Sequence, residues 1–202
     1  MVNIGVLAST KATDMQAIID AINAGKLDAR ISVVISNKKD AYALERAKKH
    51  NIRAIFLDPT GKEKGEYDKE IGRVLQNEKV ELVLLIGYMK IISPWLVKKW
   101  KNRIMNIHPS LLPAFAGGMD KDVHKEVLNA KVKVTGATLH FVTENVDSGP
   151  IILQKEVRIE ENETVGTLKE KVQKAEQEII LKAIRLYSEG KIRVEGSKVV
   201  VK

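Results

Sequence analysis

Four histidines are the only side chains in this 202-residue chain that ordinarily titrate near neutrality, and there is no cysteine to supply a thiolate. His50 closes a lysine-rich helical segment and reads as a surface residue. His140 alternates with apolar neighbours along a strand pattern and reads as structural. His124 lies on a helical segment after a glycine pair and can face a cleft. His108 differs, because it follows the strand pattern Arg103–Ile107 and precedes Pro109, which holds it extended. An imidazole is thereby placed at the carboxyl end of a strand, where the crevices of α/β sheets hold ligands. Asn106 stands two residues earlier, and on an extended segment both side chains point to one face. An amide donor beside a titratable ring is equipment for general acid–base work. Asp147, in Val146-Asp147-Ser148-Gly149-Pro150, is a candidate carboxylate to orient or charge the ring. By spacing alone, Asp ahead of Gly and Pro reads first as turn chemistry.

The first loop, Ala8-Ser9-Thr10-Lys11-Ala12-Thr13-Asp14, lies between a strand and a helix start, where free N–H groups and the helix dipole favour anions. It has no glycine, so it is neither a P-loop nor a dinucleotide fingerprint. Lys11 and the hydroxyls of Ser9, Thr10 and Thr13 can hold a phosphate. Equally, Thr13 or Asp14 can simply cap the helix.

Strand-length apolar runs alternate with helix-period segments through the first half. Val2–Leu7 precedes a helix over about Asp14–Ala24, Ile31–Ile35 precedes a helix over Ala41–His50 with Asp40 as N-cap, and Ile52–Leu57 precedes a helix over Gly65–Asn77. Val80–Ile86 is apolar after Glu81, as in a strand buried on both faces. Such alternation predicts a doubly wound α/β fold, a mostly parallel sheet with helices on both faces. The second half carries a short helix from Pro94, the strand ending before His108, and a turn-rich stretch from Pro109 to Gly118. A helix near Asp122–Asn129 and strands at Lys133–Val142 and Pro150–Arg158 come next. A long helix over Glu163–Ser188 buries one face, and the tail Lys191–Val201 is read as a hairpin that adds an edge. One domain over residues 1–202 is expected.

The net charge of +8 invites a nucleic-acid reading, but the lysines are spread among 26 acidic residues and aromatics make up only 4%. Nucleic-acid binding is therefore not expected, whereas anionic small molecules would be attracted. No apolar run is long enough to span a membrane, and Met1–Ala8 lacks a signal peptide's basic region and cleavage site, so a cytoplasmic location is expected.

Asn106-Ile107-His108-Pro109-Ser110-Leu111-Leu112-Pro113, Gly136-Ala137-Thr138-Leu139-His140-Phe141-Val142 and Val146-Asp147-Ser148-Gly149-Pro150 together resemble the formyltransferase family that uses 10-formyltetrahydrofolate. Similarity extends to the opening strand, the helix from Gln16, Ser36-Asn37-Lys38, Tyr67-Asp68 and Gly87-Tyr88-Met89. It is closest to the branch that formylates the amine of glycinamide ribonucleotide in purine synthesis. The resemblance implies catalysis by Asn106, His108 and Asp147, with Asn106 binding the formyl oxygen and Asp147 sustaining an imidazolium at His108. It implies a folate site at Met89, Lys90, Ile91, Ile92, Asn106, Thr143 and Glu144, with Lys64 facing the folate tail. Lys11, Ala12, Thr13, Asp14, Gln173 and Glu176 would hold the acceptor. Residues 1–100 would form the acceptor and phosphate half, and 101–202 the folate and catalytic half. The donor is a co-substrate, no metal is required, the partners are small molecules, and a homodimer is left open.

Two segments depart from the family pattern. Its phosphate loop is glycine-rich with a Gly-Ser-Asn ending, where this chain has Lys11-Ala12-Thr13-Asp14, and Ala116-Gly117-Gly118-Met119-Asp120 lacks the usual Pro-Gly start of a mobile loop. Formyl transfer to another amine therefore stands as an alternative. Hydrolysis of formyltetrahydrofolate is a second, disfavoured by Pro109 and by a chain that opens directly on its first strand. Folate binding without turnover is a third, and it leaves the retained trio unexplained.

Overall fold

A strand buried on both faces needs helices above and below it, and parallel neighbours need crossovers; alternating strands and helices meet both demands. The computed structural model describes residues 1–117 and 122–202. Gly118, Met119, Asp120 and Lys121, and with them part of the loop read as departing from the family, lie outside the described residues. The first half runs β1 (Val2–Leu7), α1 (Thr13–Asn23), β2 (Ala29–Ser36), α2 (Tyr42–Lys49), β3 (Arg53–Phe56), α3 (Lys64–Asn77), β4 (Leu82–Leu85). The second runs α4 (Pro94–Lys99), β5 (Ile104–His108), α5 (Val123–Asn129), β6 (Val134–Phe141), β7 (Ile151–Arg158), α6 (Val165–Ser188), β8 (Ile192–Glu195), β9 (Lys198–Val201).

Seven strands form one sheet in the order β3-β2-β1-β4-β5-β6-β7. The pairings from β3 to β5 are parallel, and those of β6 with β5 and β7 are antiparallel. Strand order reverses between β1 and β4, and the crevice at such a switch point is where these sheets bind ligands. Side chains alternate across the sheet. Ile4, Val6, Leu82, Leu84, Met105 and Ile107 join the core formed with α1, α2, α5 and α6, while Leu7, Val83, Leu85 and Ile104 join that formed with α3 and α4. The period of two thus assigns Asn106 and His108 to the face that Met105 and Ile107 do not occupy. A one-residue slip of β5 would exchange the two pairs, at about 1.5–3 kcal/mol for each apolar side chain turned out.

α6 is started by a reciprocal capping box between Thr164 and Thr167. Its buried stripe, Leu168, Val172, Ala175, Ile179, Ile180, Ala183 and Ile184, matches the spacing read from the sequence and leaves Gln173 and Glu176 on one flank. Two expectations are corrected. Asp40 does not cap α2: Ala41 holds the N-cap position, and the N–H of Ala43 donates to the Thr10 carbonyl of the first loop at 3.2 Å. With that donor satisfied from outside, Asp40 is left exposed. The C-terminal hairpin adds no edge either. β8 and β9 pair only with each other among the described residues, and Ile192, Val194 and Val199 pack against the main core.

Candidate active site

β5 delivers Asn106 and His108 to the crevice, and the following turn is tied down by β6. Thr138 Oγ1 accepts from Leu112 N at 3.0 Å, donates to the Ser110 carbonyl at 2.7 Å, and accepts from Gln154 Nε2 at 2.9 Å. Ser110 Oγ donates to the Ala114 carbonyl at 2.6 Å. These bonds bring the Phe115 carbonyl within 3.0 Å of His108 Nε2, which donates to it.

Asp147 arrives from the β6–β7 connection in a left-handed conformation, φ 50°. Aspartate adopts that region more readily than most residues. Gly149 lets the connection fold down, since a Cβ there would lie 1.7 Å from the Phe141 oxygen. Asp147 Oδ2 accepts from Gly117 N at 3.0 Å and lies 3.5 Å from His108 Nδ1, while Oδ1 lies 3.6 Å from His140 Nε2. The structure therefore gathers Asn106, His108 and Asp147, and adds a fourth group. His140 sits directly across from Asn106 in the β5–β6 register, its Nε2 3.2 Å from the Asn106 amide nitrogen. Its Nδ1 donates to the Phe141 carbonyl at 3.0 Å, so in the neutral ring Nε2 accepts from Asn106. Reading His140 as structural from its apolar neighbours missed this placement. The usable signal was its parity along β6, but the facing strand is decided by cross-strand register.

Burial, the largest influence, pulls the His108 pKa below its ordinary value, against the Asp147 carboxylate and the Phe115 carbonyl, which both favour the charged ring. The expected support from Asp147 is present, but it is outweighed. Asp147 itself is held below the usual carboxylate range, first by His140 and then by the Gly117 N–H and the neighbouring rings.

A cavity of about 640 Å3 opens over this cluster and extends along the carboxyl ends of β1 and β4. Met89, Lys90, Ile91 and Ile92 form one wall and Thr143 and Glu144 another. Met89 and Ile91 are 41% and 48% exposed, apolar surface left open at a cavity mouth. The Lys90 ammonium lies over the Tyr67 ring, 5.5 Å from its centroid. Glu144 pairs with Lys98 at 3.5 Å. Lys64 stands apart: it opens α3, is exposed, and does not line the cavity. His124 does line it, as its position after the glycine pair allowed, with a buried Nδ1 that has no partner among the described residues.

The far end of the cavity is the first loop, where Lys11, Ala12, Thr13 and Asp14 meet Gln173, Glu176 and Lys169 of α6. Ser9 stitches this loop to its neighbours: its N–H donates to the Gly87 carbonyl at 2.9 Å, its Oγ donates to Asn37 Oδ1 at 2.6 Å, and that Oγ accepts from Met89 N at 2.7 Å. Gly87 is required here, since at φ 60° a Cβ would meet Thr10 Oγ1 at 2.3 Å. Ala12 precedes α1 in the left-handed region, φ 44°, and among the described residues no side chain caps the helix. Neither Thr13 nor Asp14 is the cap that the sequence left open, and the helix end faces the cavity. Asp14 is buried, its pKa raised to about 6 by desolvation against weaker opposing bonds from Gln177 and its own N–H. Glu176 is raised well above the usual range, by burial first and by the charge of Asp14 second.

A switch-point cavity floored by an amide, two imidazoles and a carboxylate places this chain in a recognisable class. Residues 2–184 match the formyl transferase family, and the chain belongs to it. More particularly, it is similar to the phosphoribosylglycinamide formyltransferase of Haemophilus influenzae, 39% identical over 198 residues that cover 98% of this chain and 92% of that protein. It is 41% identical to part of the trifunctional purine biosynthetic protein adenosine-3 of Gallus gallus, of which it spans only 20%. The crystal structure of glycinamide ribonucleotide transformylase 1 from Symbiobacterium toebii superposes with a TM-score of 0.94 at 42% identity, over 100% of this chain and 94% of that one.

Proposed function

We propose that this chain transfers a formyl group from 10-formyltetrahydrofolate to the amine of glycinamide ribonucleotide in purine synthesis. The observation that carries the reading is the convergence of Asn106, His108 and Asp147 on a cavity that reaches the first loop, in a chain similar nearly end to end to phosphoribosylglycinamide formyltransferases. Among the described residues no helix is long and apolar enough to cross a membrane. A cytoplasmic enzyme with small-molecule partners, with a homodimer open, completes the proposal.

The cavity suits a folate on physical grounds. Met89, Ile91 and Ile92 offer apolar contact for a ring system, and Thr143 and Glu144 line the same cavity to meet its polar edge. Lys64, outside the cavity wall, is left for an extended anionic tail. When bound, the donor supplies the formyl carbon. Asn106 donates an amide N–H to the formyl oxygen, and His108 does so through Nε2, exchanging the Phe115 carbonyl for that oxygen. As negative charge develops there, each positioned donor contributes about 3–4 kcal/mol. A charged His108 ring is stabilised there because the Asp147 carboxylate faces Nδ1. His140 fixes the Asn106 amide by accepting from it, so the donor is oriented before the substrate arrives. Residues 1–100 supply the first loop for the acceptor phosphate, with Gln173 and Glu176 reaching in from the other half toward the ribose or phosphate.

Donor consumption followed with and without glycinamide ribonucleotide tests the reading. Acceptor-dependent turnover is expected. Turnover only with a different amine, or formate release without any acceptor, would refute it in favour of another transferase or a hydrolase.

A further inference from the structure

The end of the cavity proposed for the phosphate is electrostatically contradictory. The start of the 11-residue α1 faces it without a side-chain cap, and Lys11 and Lys169 line it, all of which favours an anion. Yet Asp14 and Glu176 line the same wall. Asp14 is only 6% exposed, and its Oδ1 has no hydrogen-bond partner among the described residues. A buried carboxylate oxygen without a donor is costly, and a second carboxylate facing it adds to that cost. Both costs fall if the pair holds a proton. The protonated carboxyl then becomes a donor in the cavity wall, and a phosphate dianion offers acceptors only.

We propose that Asp14 recognises the acceptor's phosphate as a neutral carboxylic acid, donating its proton to a phosphate oxygen, so that acceptor binding draws one proton from solvent. This rests on the acceptor reading above and assigns Asp14 a specificity-determining role within it. The raised carboxyl pKa values of Asp14 and Glu176 agree with a pair that takes up a proton readily when the ligand arrives. A dianion beside Asp14 raises its pKa further, which is the thermodynamic source of the uptake.

Other charged or titratable groups that line the cavity with Asp14 are Glu176 and Lys169 on α6, Lys11 on the first loop, and Asp122 and His124 at the start of α5. His124 is the competing source of proton linkage, with a ring pKa lowered chiefly by burial. It is unchanged in an Asp14 variant, so the two sources are separable.

The test is calorimetric titration of the wild-type protein and Asp14→Asn with glycinamide ribonucleotide, without folate, in buffers of different ionisation enthalpy. Glycinamide riboside, which lacks the phosphate, is the control ligand. Wild type should take up a proton on binding the nucleotide and weaken by up to about tenfold per pH unit above neutrality. The side-chain amide introduced by Asp14→Asn is a donor at every pH, so that variant should bind with an affinity flat to within about twofold over that range. The ligand's own second phosphate ionisation, near 6, is common to both proteins and cancels in the comparison. In Glu176→Gln, loss of the neighbouring charge should move the weakening to lower pH. That variant keeps the proposal open to refutation if Asp14→Asn does not fold. Nucleotide binding without proton uptake, or uptake that persists in Asp14→Asn, overturns the proposal and leaves the acceptor reading standing. No binding of nucleotide or riboside overturns both.

Discussion

Asp147 Oδ2 lies 3.5 Å from His108 Nδ1, and the other oxygen of the same carboxylate lies 3.6 Å from His140 Nε2. One carboxylate therefore lies beside two rings. The Asp147 and His108 side chains are only 10% and 8% exposed, so water screens their interaction little. Burial lowers the His108 pKa and Asp147 raises it, which makes the ring's charge state depend on an aspartate from a distant loop.

Removing the ring should abolish most turnover without emptying the pocket. His108→Ala is expected to lower kcat by about 100- to 10,000-fold, the usual worth of a positioned acid–base group. Folate affinity should remain near wild type, because the cavity walls do not depend on this side chain. Steady-state kinetics and equilibrium titration with folate check both parts, and wild-type-like turnover would refute the role of His108.

Asp147→Asn should act through the same ring. Without the carboxylate, the His108 pKa falls further, so the loss of activity on raising pH through that pKa should begin at lower pH than in wild type. Because the Asp147 pKa is depressed in the fold, it contributes stability above the ordinary carboxylate pKa and loses that contribution as pH falls through the folded value. The variant should therefore melt below wild type at neutral pH and converge with it in acid. A pH–rate profile of unchanged position would show that the carboxylate does not control the ring.

Asp14 has the opposite linkage. Its folded pKa of about 6 lies above the ordinary 3.8, so the folded chain holds the proton more tightly, and stability falls as pH rises between those values without recovering above them. Asp14→Asn should accordingly melt about 2–6 °C above wild type at neutral pH, with the difference vanishing in strong acid. Thermal melts across that range decide the point.

Gly149 separates loop geometry from loop chemistry. A methyl group there would collide with the Phe141 oxygen, so Gly149→Ala must lift the β6–β7 connection and carry Asp147 away from both rings. A loss of about 1–3 kcal/mol in stability is expected from the forced backbone shift. Turnover should fall more than folate affinity, as when the carboxylate itself is removed. Melting temperature and kcat measured on one preparation test this, and normal kcat would show that the loop tolerates the displacement.

The sequence alone determined the doubly wound sheet, because strand and helix periods alternate and each element must bury its own apolar face. It also determined that Asn106 and His108 are neighbours, since extended residues two apart share a face whatever surrounds them. Both are local facts, set by backbone geometry within one segment. Asp147 entered through the family motif, as its spacing reads equally as a turn, and His140 was set aside because its strand neighbours are apolar. Those two meet the pair only through the antiparallel β5–β6 register and the fold of the β6–β7 connection onto Phe141. Desolvation is likewise invisible in the chain. The tertiary structure decided that burial outweighs Asp147 at His108, and that Asp14, an unwelcome charge by its position in the sequence, is raised toward a neutral acid by the protein that buries it.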